Sequence, residues 1–352
     1  MTGRFESGRS HPRSIRGGRT STVPENGGPV TAPLVTTPIS QAVAEGRISR
    51  VELRELMKRS DALPMLHLVL WLATVFASGA VVWAALDGPW LLPAMFLHGV
   101  VLVHHFSLQH ECTHYTAFRT RGINDAVGAA CGFLVMVAPR FFRYEHCDHH
   151  TWTQLEGRDP EQIPLPTSLR GYLAYLSSGP YWSAKCREIT RHAAGRLSES
   201  DRAFVPEVEH AAVIREARLM LAGYVLVVAA MAVFDRWEPL WFWFLPVLLG
   251  EPVMRAIRMT EHVGMPPVHD MRRNTRTSLV WPPLRWLCWN MSYHAEHHYA
   301  SSVPYHALPR LHEMLKGELP IEPGGYLGAH RDMLDQILGA KPRCDRPLDP
   351  AR

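Results

Sequence analysis

Residues 66–86 read LHLVLWLATVFASGAVVWAAL, and residues 91–109 read LLPAMFLHGVVLVHHFSLQ. Neither stretch contains Asp, Glu, Lys or Arg, and each is close to the roughly 20 residues that span a hydrocarbon core. A short turn at Asp87-Gly88-Pro89 separates them, so the pattern predicts a helix that crosses a bilayer and a second that returns. The arrangement recurs downstream. Residues 219–234 (LMLAGYVLVVAAMAVF) are apolar, 235–239 form a turn, and residues from Leu240 to about Met259 lead back. The last segment carries Glu251, Arg255 and Arg258. A charge at mid-bilayer costs roughly 2.5–3.5 kcal/mol on insertion scales, so these side chains are expected near the cytosolic end or facing the bundle interior.

The expected fold is therefore all-α and integral to the membrane, with four transmembrane helices in two hairpins. The two turns hold only Arg236, whereas Lys and Arg crowd the N-terminal region and the long middle loop from Arg119 to Arg215. The positive-inside bias places both termini and that loop in the cytosol. Residues 1–45, rich in Arg, Ser, Gly, Pro and Thr without an apolar run, read as a disordered basic tail and not as a secretory signal. Residues 41–61 read as a short amphipathic lead-in helix. Residues 46–320 form the membrane domain and 321–352 a C-terminal cytosolic tail. The stretches 122–137 and 163–182 are moderately apolar and aromatic, which suits the membrane interface.

A formal charge of +4 over 352 residues gives no argument for nucleic acid as a partner. Six cysteines (Cys112, Cys131, Cys147, Cys186, Cys288 and Cys344) occur without a CxxC pair, which argues against a zinc ribbon, a disulfide framework or a built-in iron–sulfur centre.

Histidine decides the function. Of the 20 in the chain, eight fall into three clusters: His110 and His114 in HECTH, His146, His149 and His150 in HCDHH, and His294, His297 and His298 in HAEHH. His262 stands alone just past the fourth apolar segment. Residues four apart on a helix share a face, so HxxxH aims two imidazoles one way and HxxHH three or nearly so. Neutral imidazole is a ligand for Fe, Zn and Cu. Nine nitrogens exceed what one ion can use but suit two six-coordinate ions that keep positions free. Each cluster also carries an acid (Glu111, Asp148, Glu296, and Glu261 beside His262), and metal-bound histidines usually donate their other N–H to such a group.

The other histidines carry the plainer expectation of packing or facing solvent: His11, His67, His98, His192, His210, His269, His306, His312 and His330. His104 and His105, one to two turns before the first cluster, stay open between packing and a metal role.

These residues resemble the membrane fatty-acid desaturase superfamily, with its HxxxH, HxxHH and HxxHH boxes. QHECTHYTAF (109–118) is similar to the first box and RYEHCDHHTWTQLEGRDPE (143–161) to the second. NMSYHAEHHYASSVPYHALPRLH (290–312) is similar to the bacterial branch of the third. The resemblance spans about residues 66–315. It implies two iron ions held by His110, His114, His146, His149, His150, His262, His294, His297 and His298 in a cytosolic helical cap, with O₂ as co-substrate. Attack on an unactivated C–H bond then gives an alkene by loss of a second hydrogen, or an alcohol by oxygen insertion.

The resemblance also implies a fatty-acyl or related lipid-like substrate. A hydroxylase or ketolase acting on a lipid, carotenoid or amino-acid-derived compound is the alternative. Electrons are expected from a separate ferredoxin, rubredoxin or cytochrome with its reductase, and the basic middle loop suits an acidic donor. Trp152, Tyr144, Trp286 and Trp289 are candidates for the mouth of a substrate channel between the spans.

Two other classes compete. HECTH also satisfies HExxH, in which Glu111 would be the general base of a membrane zinc peptidase. One zinc would leave most of the later histidines unused. A metal transporter would place its ligands within the spans, whereas here they lie at span ends and in loops.

Overall fold

The computed structural model describes residues 38–339, so the basic tail reading for residues 1–37 and the end of the C-terminal tail lie outside the described residues. The first helices are α1 (Pro38–Ala44) and α2 (Arg50–Leu56). Ser49 caps α2 reciprocally: its hydroxyl accepts from the Glu52 N–H while the Glu52 carboxylate accepts from the Ser49 N–H. Ala42, Ile48 and Leu56 are buried in a cluster with Tyr299, Leu308 and Leu311. Residues 38–45, expected to be tail, are thus docked onto the domain, because Ile39 and Ala42 give α1 one small apolar face.

Next come α3 (Ala62–Ala85), α4 (Leu91–Val103) and α5 (His105–Thr113), the last two joined at His104 into one apolar segment. At 24 residues α3 is about 36 Å long, more than the roughly 30 Å of a hydrocarbon core. After α5, α6 (Arg121–Val135) and α7 (Pro139–Trp152) meet at a bend of 96°. Met136 turns the corner in the left-handed region at φ 59°, and Pro139 opens α7, where its missing N–H costs nothing. The segment expected at the interface over 122–137 is α6, packed along α5.

The middle region continues as α8 (Leu169–Leu176), α9 (Gly179–Ala193) and α10 (Glu199–Phe204). Then come α11 (His210–Phe234), a π-helical turn over Leu240–Phe244, and α12 (Leu245–His262). Beyond α12 the elements are short: β1 (Thr277–Ser278), α13 (Pro282–Leu287), α14 (His294–Tyr299), α15 (Leu308–Met314), β2 (Ile321–Glu322), parallel to β1, and α16 (Gly325–Ile337). Ala329 and Met333 of α16 are buried against Met259 and Val263. Residues 325–337, within the stretch expected to be a C-terminal tail, thus pack against the end of α12, since an i,i+4 apolar pair supplies a docking face.

Among the described residues, four helical segments are long and apolar enough to cross a membrane: Ala62–Ala85, Leu91–Thr113, Glu207–Phe234 and Leu240–His262. Their burial differs. Only 17% of the first and third is covered by protein, against 61% of the second and 39% of the fourth. Phe76, Trp83, Leu226 and Phe234 point outward, as lipid-facing side chains do.

The two inner segments cross closely at Gly99 and Gly250, where a Cβ on either residue would overlap the backbone of the opposite helix. α3 packs along α4, whereas the main neighbours of α11 are α9 and α7. Glu251, Arg255 and Arg258 are all buried, with Arg255 Nε 2.6 Å from Glu251 Oε1. Their charges are buried within the protein, among the packed helices.

Candidate metal centre

Four segments carry the clustered histidines to one place. α5 bears His110 and His114 at its end, α7 bears His146, His149 and His150, α12 terminates at His262, and α14 begins with His294 and carries His297 and His298. The crossing of α4 with α12 sets the ends of the two inner segments side by side, and α14 closes over them.

The nine rings form two groups. One contains His110, His114, His146, His150 and His297, and the other His149, His262, His294 and His298. Within each, the potential ligand nitrogens all lie within 4.8 Å of one another. α7 serves both groups because His146 and His150 share a face while His149 points elsewhere, and α14 divides in the same way. The His150 and His298 rings stack at 4.1 Å, so the groups abut.

The facing atoms are Nε2. His150 Nε2 lies 3.1 Å from that of His146 and 3.1 Å from that of His297, and His294 Nε2 lies 2.9 Å from that of His262. With an imidazole–metal bond of about 2.1 Å, adjacent ligands of an octahedral ion stand about 3.0 Å apart. Further nitrogens have no hydrogen-bond partner although buried: both of His110, and Nε2 of His114, His149 and His298. Buried polar atoms without partners are rare singly. These belong to four rings, His110 and His114 in one group and His149 and His298 in the other. Nitrogens left without partners inside each group fit electron-pair acceptors, and these residues therefore suit metal ions.

Outer groups fix the rings. Asp159 Oδ1 is 2.8 Å from His149 Nδ1 and Glu161 Oε1 is 2.7 Å from His146 Nδ1. The Asn274 carbonyl is 3.1 Å from His262 Nδ1 and Thr153 Oγ1 is 3.2 Å from His298 Nδ1. Each of these contacts leaves Nε2 turned inward. Burial pushes the imidazoles of His146, His150, His294, His297 and His298 well below their ordinary range, and that of His114 down to about 3. They are neutral, the form that ligates. His149 differs: burial lowers it, but Glu161 and the hydrogen bond to Asp159 outweigh this and raise it.

The expected acids divide. Glu261 Oε1 lies 3.8 Å from His294 Nδ1, and Glu111 Oε1 lies 3.9 Å from His297 Nδ1. Asp148 sits on the outer side of α7 beside Trp152 and Arg158, a correction to its expected role. Glu296 is bound by Thr277 and, at 2.6 Å, by His312 Nδ1, so it anchors α14. The role expected of Asp148 belongs to Asp159 and Glu161, which the chain reaches only after the turn that ends α7. Their only sequence signal was the Asp-Pro-Glu that closes the second box.

His104 and His105 hold the backbone carbonyls of Val100 and Leu102 and stand outside both groups. His67, His98, His192, His312 and His330 are likewise hydrogen bonded elsewhere.

The HExxH reading has weak support. Glu111 is fully buried, accepts from the Thr116 hydroxyl and the Tyr305 N–H, and His110 and His114 share their group with three other rings. Of the channel-mouth candidates, Trp286 lines a cavity of about 510 Å³ with Leu63, Leu66 and Leu70 of α3. Tyr144 borders a separate polar cavity, Trp289 is fully buried, and Trp152 packs against Arg158.

Fold and site together define a helical protein with membrane-crossing segments and two imidazole groups of metal-binding type. The fatty acid desaturase family matches residues 88–327, and the chain belongs to that family. It is 27% identical over 267 residues to the human (Homo sapiens) sphingolipid delta(4)-desaturase/C4-monooxygenase DES2, covering 73% of this chain and 75% of the relative. It is 23% identical over 252 residues to the sn-1 oleoyl-lipid 12-desaturase of Picosynechococcus, covering 65% and 70%. A shorter match, 34% identical over 86 residues, is to the fatty acid conjugase FAC2 B of Calendula officinalis, covering 23% of this chain and 22% of that one. The protein is thus a membrane oxidoreductase of the lipid desaturase and hydroxylase type.

Proposed function

We propose that this chain is an O₂-dependent di-iron desaturase acting on a fatty-acyl or related lipid-like chain. The observation that carries the reading is the convergence of nine buried imidazoles in groups of five and four. Iron bound there would supply the activation of O₂ needed to remove hydrogen from an unactivated carbon.

The protein's own contribution is preparation. Burial keeps the rings neutral, Asp159 and Glu161 hold two of them by Nδ1, and Phe106 and Phe142 pack beside His110 and His146 and exclude water. The site lies where Leu91–Thr113 and Leu240–His262 both end, on the side assigned to the cytosol by the basic residues. In this reading the four spans form two hairpins beneath a cytosolic cap. The apolar groove between α3 and Trp286 is the route by which a chain leaves the bilayer. Reducing equivalents come from a ferredoxin, rubredoxin or cytochrome with its reductase, docking on the basic middle region.

Hydroxylation is the second reading. It is favoured by the relative whose name joins a delta(4)-desaturase to a C4-monooxygenase.

The test is co-expression with a reductase–ferredoxin pair and mass spectrometry of the lipids. Desaturation removes about 2 Da and hydroxylation adds about 16 Da. His149→Ala and His297→Ala should each abolish turnover and lower iron content while leaving membrane insertion intact. Full activity in either variant contradicts the assignment.

A further inference from the structure

Arg258 is an arginine inside an apolar helix, which by cost alone calls for a reason. It is buried, and its guanidinium is shared between two carboxylates: Nη2 is 2.6 Å from Glu161 Oε2 and Nη1 is 2.5 Å from Glu261 Oε2. Each carboxylate turns its other oxygen to a different histidine group. Glu161 Oε1 is 2.7 Å from Nδ1 of His146, in the five-histidine group, and Glu261 Oε1 is 3.8 Å from Nδ1 of His294, in the four-histidine group. A chain of five side chains, His146–Glu161–Arg258–Glu261–His294, therefore runs from one group to the other through a single cation.

Resting on the di-iron reading above, we infer that Arg258 is the positioning residue that sets the two metal groups in register. It does so by fixing one orienting carboxylate for each group at the same time. The planar fork of guanidinium suits this task, because it can donate to two carboxylates in fixed directions, which an ammonium on a flexible stem cannot. The charges agree with it. One cation between two carboxylates leaves net negative charge facing the Nδ1 edges of two rings, through a hydrogen bond at His146 and through the electrostatic field alone, at 3.8 Å, at His294. Arg255, one turn earlier on the same helix, has a different duty: it pairs with Glu251 and lies over the Tyr181 ring at 3.8 Å.

The test uses the full-length protein in detergent, stripped of metal and titrated with Co²⁺. Stoichiometry is read by elemental analysis, and pairing by whether the Co²⁺ spins are coupled. Wild type is expected to bind two ions per chain with a coupled signal. Glu161→Gln and Glu261→Gln should each weaken one ion about 10–100-fold, the usual effect of losing an orienting partner, and leave an uncoupled Co²⁺ signal. Arg258→Lys, which keeps the charge and loses the fork, should weaken both ions together. The thermal unfolding of the metal-free variant confirms that it is folded.

Two ions bound by Arg258→Lys with wild-type affinity overturn the inference and leave the function reading standing. Weakening of the same ion by both Glu variants overturns it in the same way. A wild-type stoichiometry other than two overturns the function reading, and this inference with it.

Discussion

Asp159 Oδ1 sits 2.8 Å from Nδ1 of His149, and its second oxygen accepts the Gln154 N–H at 2.8 Å. The Glu161 N–H donates to Oδ1 as well, at 2.9 Å. Burial disfavours the charge on Asp159, but these donors outweigh it and hold the carboxyl below its ordinary range. The carboxylate is thus fixed by the turn after α7 before it meets the ring.

Asp159→Asn keeps the shape and removes the charge. The variant should bind iron about 10–100-fold more weakly than wild type, with turnover falling in parallel. Iron content after dialysis against a graded chelator series reads this directly. Retention of iron at the wild-type chelator midpoint would show that His149 needs no such partner.

Packing of the two inner segments depends on Gly99 and Gly250, where a side chain meets opposing backbone and not a movable group. Gly99→Val should destabilise the detergent-solubilised protein by about 1–3 kcal/mol, the usual cost of overpacking. It should also loosen iron, because α4 leads to His110 and α12 ends at His262. Gly122→Ala is the matched control. A Cβ there meets nothing within 4 Å, and the change should be neutral or stabilising by about 0.4–1 kcal/mol. Thermal melts of the two variants decide the point, and equal melting would remove the close crossing from the account.

A third expectation concerns pH and lies away from the metal groups. Burial raises the Asp201 carboxyl, but the hydrogen bonds from His192, Ser198 and Arg191 prevail and leave it well below its ordinary 3.8. A carboxyl depressed in the folded state stabilises it at every pH above the unfolded value. That contribution fades as pH falls below 3.8 towards the folded value. The melting-temperature advantage of wild type over Asp201→Asn should therefore be flat from pH 7 to about 5 and shrink below about 4. An advantage that grows on acidification contradicts the assignment.

Much of this was legible in the residues. The four apolar segments follow from unbroken runs such as 66–86, where composition alone sets the outcome. Eight of the nine histidines were legible because three clusters repeat the i,i+4 helical spacing, and a side chain's face on a helix is a local property; His262 was legible only from its place at the end of the fourth apolar segment. Asp159, Glu161 and Arg258 were not. His149, His146 and Glu161, which they respectively contact, are 10, 15 and 97 residues away in the chain, so only the folded backbone brings them together; Glu261, the second partner of Arg258, is three residues on. Asp148 misled for the converse reason: adjacency to His149 in sequence puts it on another face of α7. The docked α1 and α16 were hidden because each offers only a small apolar face within a polar stretch.

The central claim is a dinuclear iron site, and iron anomalous scattering from crystals of the purified protein tests it most directly. The account predicts two iron positions per chain, one among His110, His114, His146, His150 and His297 and one among His149, His262, His294 and His298. A single zinc held by His110 and His114, or rings that surround no metal in active protein, would contradict it.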